Sequence, residues 1–221
     1  MAEVVLFDLD GTLSDSAPGI LAALRYAFDV NGLPWLDAET ELGILGPPFY
    51  ESLPPIIGEA ALPGVITAYR EHYGNGGMYD TQPFPGVTEV LVALHAAGVQ
   101  LAVATSKPEP YAIPIVAHLG YEALFTTIGG DELDGSLRTK TLVIDKVLER
   151  LGRPDPSRVL MVGDRSHDVA GARDHGIDTI AVRWGYAVPG ELEAAAPAAL
   201  CADADELARL LGVGVADAAA S

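Results

Sequence analysis

Residues 1–16 read MAEVVLFDLDGTLSDS, and the fold is decided by how residues 4–12 of that stretch are understood. Residues 4–7, VVLF, are an unbroken aliphatic and aromatic run, the pattern of a parallel strand buried on both faces. The run stops at Asp8, which is followed by Leu9, Asp10, Gly11 and Thr12. Open α/β sheets bind ligands just outside the carboxyl ends of their strands, so this order puts two carboxylates on a rim where a site belongs. Gly11 lets the chain leave the strand at an angle that a Cβ would resist, and the Thr12 hydroxyl suits the turn that follows. Asp, Gly and Thr are ordinary turn residues too, so the pentapeptide alone equally describes a strand that merely ends.

From about Pro85 onward, helical and strand-like segments alternate as βα units around a parallel sheet do. Helices are expected over residues 87–97, 110–119, 139–151, 166–175, 189–195 and 203–211. Strands are expected over 101–105, 126–128, 159–162 and 179–182, with an edge strand at 199–201. Residues 16–81 differ, because helical periodicity recurs over 18–30, 37–45, 49–57 and 63–73 with no convincing strand. The expected architecture is α/β: a core from residues 1–15 and 82–212, an inserted all-helical cap over 16–81, and a flexible tail at 213–221. The turn-forming residues 14–16, 74–77 and 83–86 suit the exits of such an insertion.

Composition bounds what the chain does. With 221 residues, 49% of them hydrophobic and 20% charged, it holds enough apolar surface for one or two compact domains. Its apolar stretches fall short of the roughly 20 residues that cross a bilayer, and no basic segment precedes an apolar one at the N-terminus, so a cytoplasmic location is expected. Cys201 is the lone cysteine, which excludes an internal disulfide and a cysteine-based zinc site. Net charge is −18, from 31 acids against 13 Lys plus Arg, a balance that repels nucleic acid. The same balance opposes a small phosphorylated substrate, but screening confines that repulsion to about 8 Å at physiological salt, and a divalent cation would reverse the local sign. No sequence signal bears on oligomeric state.

Three expected strands end in polar groups: Asp8 after Phe7, Thr105 and Ser106 after Ala104, and Gly163-Asp164 after Val162. In a parallel sheet these ends point the same way, so the residues converge although they are far apart in sequence. Lys140 opens an expected helix, where a cation opposes the helix dipole by roughly 0.3–1 kcal/mol, and a nearby anion would account for it. Taken singly, Thr105-Ser106 also reads as a helix cap, Lys140 as a solvated lysine, and Asp164 with Asp168 as a capped helix start. Those two acids suit a divalent metal as well. Their joint occurrence, in this order and at these strand ends, favours one site.

With DLDGT at 8–12, ATS at 104–106, Lys140 before its helix and GDRSHD at 163–168, nearly the whole chain resembles the haloacid dehalogenase superfamily. The likeness is to its phosphatases with a helical cap of the C1 type inserted after the first strand of a Rossmann-like core. Within them it looks most like the phosphoglycolate phosphatase branch, including relatives acting on nucleoside 5′-monophosphates. Thr105-Ser106-Lys107-Pro108 and Leu133-Asp134-Gly135-Ser136 with Lys140 carry that finer likeness.

The resemblance implies an Mg²⁺-dependent phosphatase of small phosphorylated metabolites. Asp8 is then the nucleophile that forms an aspartyl-phosphate, and Asp10 the acid and base. Asp8, the Asp10 carbonyl and Asp164 hold the metal, and Asp168 supports them from behind. Thr105, Ser106 and Lys140 bind the phosphate. The acid two residues after the nucleophile argues against a dehalogenase, which has no leaving alkoxide to protonate. Gly46, Pro47, Pro48 and Phe49 form a stiff cap loop expected to select the leaving group; Arg25 and Arg70 are candidate anion contacts, with solvated helix residues the favoured reading of both. A sugar phosphomutase and a non-catalytic phosphate sensor are the alternatives.

Overall fold

The computed structural model describes residues 2–137 and 139–214. In chain order its elements are β1 (Val4–Phe7), β2 (Ser14–Asp15), α1 (Ala17–Val30), α2 (Ala38–Gly43), α3 (Phe49–Ser52), α4 (Pro54–Ile57), α5 (Leu62–Gly74) and β3 (Gln82–Pro83). There follow α6 (Val87–Ala96), β4 (Gln100–Pro108), α7 (Glu109–His118), β5 (Phe125–Asp131), α8 (Lys140–Arg150) and β6 (Val159–Gly163). The last are α9 (Ser166–Asp174), β7 (Asp178–Val182), α10 (Glu191–Ala195), β8 (Ala199–Cys201) and α11 (Ala204–Leu211). The larger sheet has the order β5-β4-β1-β6-β7-β8, with every neighbouring pair parallel. This is the Rossmann-like α/β core expected from the sequence, with a helical cap between β2 and β3. The direction of winding reverses at β1, so its carboxyl end opens onto the switch-point crevice where such sheets bind ligands.

All four residues of β1 are buried, and they alternate between two apolar clusters as strand geometry requires. Val4 and Leu6 pack with Ala102, Met161 and the Val143, Ile144 and Val147 face of α8. Val5 and Phe7 face Val90 and Leu91 of α6 and Ile115 and Val116 of α7. The second cluster continues through Leu9 and Leu13 to Ala23, Leu24 and Phe28 of α1 and to Val65, Tyr69 and Tyr73 of α5. One apolar mass therefore ties the helical insertion to the sheet. The insertion leaves and returns through a short antiparallel ribbon in which Ser14 faces Pro83 and Asp15 faces Gln82.

Several expected bounds shift for local reasons. The single helix expected over 49–57 is two, α3 and α4, because Pro54 and Pro55 cannot donate into a continuing turn and instead occupy a new helix start. β4 runs on to Pro108 through an irregularity after Thr105, and β5 extends to Asp131 through Gly129 and Gly130, which carry no strand signal of their own. The helix expected from 189 begins at Glu191, after Gly190 at its cap. Val213, counted in the expected tail, packs against the core, while residues 215–221 lie outside the described residues. Among the described residues no helix is long and apolar enough to cross a membrane.

Leu6 is fully enclosed beneath α8. Leu6→Ala is expected to lower unfolding stability by about 2–5 kcal/mol, read as a reduced urea midpoint with the slope unchanged.

Candidate active site

The carboxyl ends of β1, β4 and β6 deliver Asp8, Thr105 and Asp164, each buried, and the first turns of α8 and α9 add Lys140 and Asp168. Lys140 Nζ lies 2.9 Å from Asp8 Oδ2 and 2.8 Å from Asp168 Oδ1, and it donates to the Ala104 carbonyl at 3.0 Å. The Ala104 carbonyl takes a hydrogen bond from the ammonium, and the two carboxylates meet it as ion pairs. Thr139 frees Lys140 for this role by capping α8, its hydroxyl accepting the Leu142 N–H at 3.3 Å. Asp168 Oδ2 accepts the Arg165 N–H at 3.0 Å, which fixes the turn into α9.

Asp164 is held differently. The Thr12 hydroxyl donates to its Oδ1 at 3.0 Å and the Tyr186 N–H to its Oδ2 at 2.8 Å. A Cβ on Gly11, whose φ is +81°, would sit 2.2 Å from Asp164 Oδ2, so both the turn and the close approach require glycine. Carboxylate oxygens of Asp8, Asp164 and Asp168 lie within 4.8 Å of one another. Among the described residues Lys140 is the cation that pairs with Asp8 and Asp168, and no Lys or Arg pairs with Asp164. Burial raises the Asp8 carboxyl above the ordinary range; Lys140 and the Thr105 hydroxyl counter this without cancelling it. Burial, then the charges of Asp168 and Asp8, raises Asp164 far more. Burial alone would depress Lys140, but Asp168 and Asp8 outweigh it and hold the ammonium charged above its usual range. Three crowded acids, two of them sharing one ammonium and all with oxygen donors, fit a hard divalent cation.

Asp10 stands apart from this cluster. Its Oδ2 is 2.7 Å from Lys107 Nζ, while its Oδ1 is buried with no hydrogen-bond partner among the described residues. Lys107 is itself enclosed, with its ammonium 4.9 Å from the Tyr73 ring centroid of α5. Two of the three lysines in the chain thus serve the rim. Lys107 was quoted in the sequence only as part of a motif; its rarity and its place beside Ser106 were the available signal.

Above Asp10 and Ser106 lies a cavity walled by the cap. Gly46, Pro47, Pro48 and Phe49 line it, together with Tyr50, Tyr69, Tyr73, Tyr111 and Arg70. Tyr69 and Tyr73 stack at 5.1 Å, and Phe49 meets Tyr69 edge-on at 4.8 Å. The aromatic wall was not foreseen, since tyrosines at helical spacing read as core. The structure separates the two candidate arginines. Arg70 borders the cavity and donates to the Tyr50 hydroxyl and the Leu133 carbonyl. Arg25 lies away from it, paired with Glu41 at 2.9 Å and set 4.3 Å from the Trp35 ring centroid, so it is a surface helix residue.

The sequence pattern of the family described as Haloacid dehalogenase-like hydrolase matches residues 5–182. The chain belongs to that family. It is similar to Tyrosine-protein kinase PtkA of Mycobacterium tuberculosis, at 44% identity over 214 residues covering 96% of this chain and 73% of PtkA. A solved PtkA structure matches with a TM-score of 0.84 over 96% of this chain and 99% of the other. A 5′-nucleotidase of Pseudomonas aeruginosa is 36% identical over 94% of both chains. A phosphoglycolate phosphatase of Aquifex aeolicus is 31% identical over 83% of this chain and 85% of its own. The family and these phosphatase relatives make the chain a phosphoric monoester hydrolase.

Replacing Lys140 by Met leaves Asp8 and Asp168 buried without their cation. A loss of about 3–5 kcal/mol in unfolding stability is expected, measured by urea titration in the presence of EDTA.

Proposed function

We propose that this phosphatase is Mg²⁺-dependent and hydrolyses small phosphate monoesters through an aspartyl-phosphate on Asp8. The observation that carries the proposal is the Asp8–Lys140–Asp168 chain at the end of β1, with Asp10 two residues further on and outside the carboxylate cluster. The Asp8 and Asp164 carboxylates and the Asp10 carbonyl would hold the ion, with Asp168 securing Lys140 behind them. When bound, Mg²⁺ offsets repulsion between the Asp8 carboxylate and the phosphate and orients the in-line attack.

A carboxylate oxygen of Asp8 attacks phosphorus, and the bond from phosphorus to the ester oxygen breaks. Asp10 gives the departing alkoxide its proton, then takes one from the water that attacks the aspartyl-phosphate and releases inorganic phosphate. Its unpartnered Oδ1 supports this duty. The Thr105 hydroxyl, the Ser106 N–H and Lys140 bind the phosphoryl oxygens, so catalysis here is mainly positioning and charge. The cap, residues 16–81, covers the site and excludes bulk water. A cytoplasmic location belongs to the same reading, since phosphorylated metabolites are made and used there.

The leading substrate is a small ester of the phosphoglycolate kind. A nucleoside 5′-monophosphate is the second reading, favoured by the stacked tyrosines of the cavity, which suit a planar base. The name of the PtkA relative adds one more acceptor to test, a protein tyrosine in place of water.

Phosphate release is measured from p-nitrophenyl phosphate, 2-phosphoglycolate, nucleoside monophosphates and sugar phosphates. Release is expected to need Mg²⁺ and to vanish in Asp8→Asn; activity that survives this change defeats the covalent route. Asp10→Asn is expected to slow alkyl esters by roughly 10²–10⁴-fold, and the p-nitrophenyl ester much less. Isomerised sugar phosphate without free phosphate points to a mutase, and phosphotyrosine formation to a kinase.

A further inference from the structure

Arg165 has its backbone on the loop that carries Asp164 and a side chain that runs past α10 to the cap. The guanidinium is nearly enclosed, with its Nε on both Glu191 oxygens at 2.9 and 3.2 Å. Its Nη1 donates to the Leu45 carbonyl. Glu191 is itself fixed, accepting the Ser166 N–H at 2.8 Å, the Ser166 hydroxyl at 2.9 Å and the Val188 N–H at 3.0 Å. The next cap residue, Gly46, has φ +103°, and a Cβ there would lie 2.9 Å from Arg165 Nη1 and 3.1 Å from its Cγ. Loop and guanidinium are therefore fitted to each other from both sides.

We propose that Arg165 is a positioning residue that fastens the cap loop of residues 45–49 to the Asp164 loop and so sets the leaving-group wall of the cavity. This rests on the reading of the cavity as the leaving-group site of a phosphatase. The planar fork of arginine reaches a carboxylate and a carbonyl at once, which a lysine ammonium does not reproduce. The five loop residues that it holds all line the cavity. Asp168 accepts the Arg165 N–H and also binds Lys140, so the phosphate end and the leaving-group end of the site share one rigid turn. Substrates with a leaving group feel this fastening, whereas inorganic phosphate, which has none, does not.

The test uses the full chain and two readouts. Hydrogen exchange followed by mass spectrometry reports the amides of residues 44–50, and steady-state kinetics compare KM for adenosine 5′-monophosphate with inhibition by inorganic phosphate. In Arg165→Ala and in Gly46→Ala, loop exchange is expected to quicken about tenfold while the β4 and β6 peptides stay protected. KM for the nucleotide is expected to rise about tenfold, with the phosphate inhibition constant unchanged. Arg165→Lys is expected to restore little of either. Loop exchange equal to wild type in a folded Arg165→Ala protein overturns the proposal, as does a parallel rise in KM and the phosphate constant. Should Arg165→Ala lose sheet protection, Glu191→Gln decides: quicker loop exchange with an intact sheet supports the fastening, and wild-type exchange sinks it. A wild-type protein that turns over no ester defeats the phosphatase reading, while the exchange data still judge the fastening by themselves.

Discussion

The Lys140 ammonium, shared between Asp8 and Asp168 beneath the surface of the rim, is the contact on which the rest of the site depends. Carboxylates out of water are costly unless they are paired and hydrogen-bonded, and here two of them share one cation while Asp164 beside them pairs with no Lys or Arg among the described residues. A helix start is a poor place for a lysine by its dipole, which disfavours a cation there. The sequence accepts that cost at α8 because the helix points its first residue at the ends of β1 and β4. The crowded carboxylates that one ammonium does not balance fit a divalent ion, and such an ion would in turn admit a phosphate ester. A chain of net charge −18 thus becomes hospitable to an anion over a few ångströms, within a screening length of its own acids.

Most of the sheet was legible in the sequence because its central strands are buried on both faces and read as short aliphatic runs. The residues that end those runs, Asp8, Thr105 and Asp164, were legible for a geometric reason: parallel strands share a direction, so their carboxyl ends meet. The ribbon of β2 and β3 was not, since four residues that include Pro83 carry no periodicity. The length of β5 was hidden by its glycines, and the break between α3 and α4 shows consecutive prolines overriding an apolar pattern. Lys107, Arg165 and Glu191 escaped for another reason. Their roles depend on where a long side chain reaches across the fold, from β4 to α5, from the Asp164 loop to Leu45, and from α10 to the Asp164 loop, and spacing along one element does not encode such reach.

Cap and core differ in how they hold together. Across Leu9, Leu13 and α1 the join is apolar and continuous, so the helical insertion has no independent core of its own. At the cavity the join is polar and specific, through Lys107 against Tyr73 on one side and Arg165 against Leu45 on the other. An apolar seam tolerates small shifts, because burial has no direction. A charged, directional contact does not, because a buried charge that loses alignment with its partner keeps its desolvation cost and forfeits its attraction.

Under the proposed function, that division would put specificity in the cap and the chemistry at the sheet. The proposed phosphate end is built from strand termini that cannot move without disturbing the sheet: β1 pairs with β4 and β6 over its whole length. The proposed leaving-group end is a loop that two prolines stiffen and that Arg165 contacts at the Leu45 carbonyl. On the proposed reading, substitutions among residues 45–49 would reshape which alcohol fits and leave Asp8 and Lys140 in register. A change at Arg165 would be of another kind, since it would leave every lining residue in the sequence and alter only where five of them stand relative to Asp10.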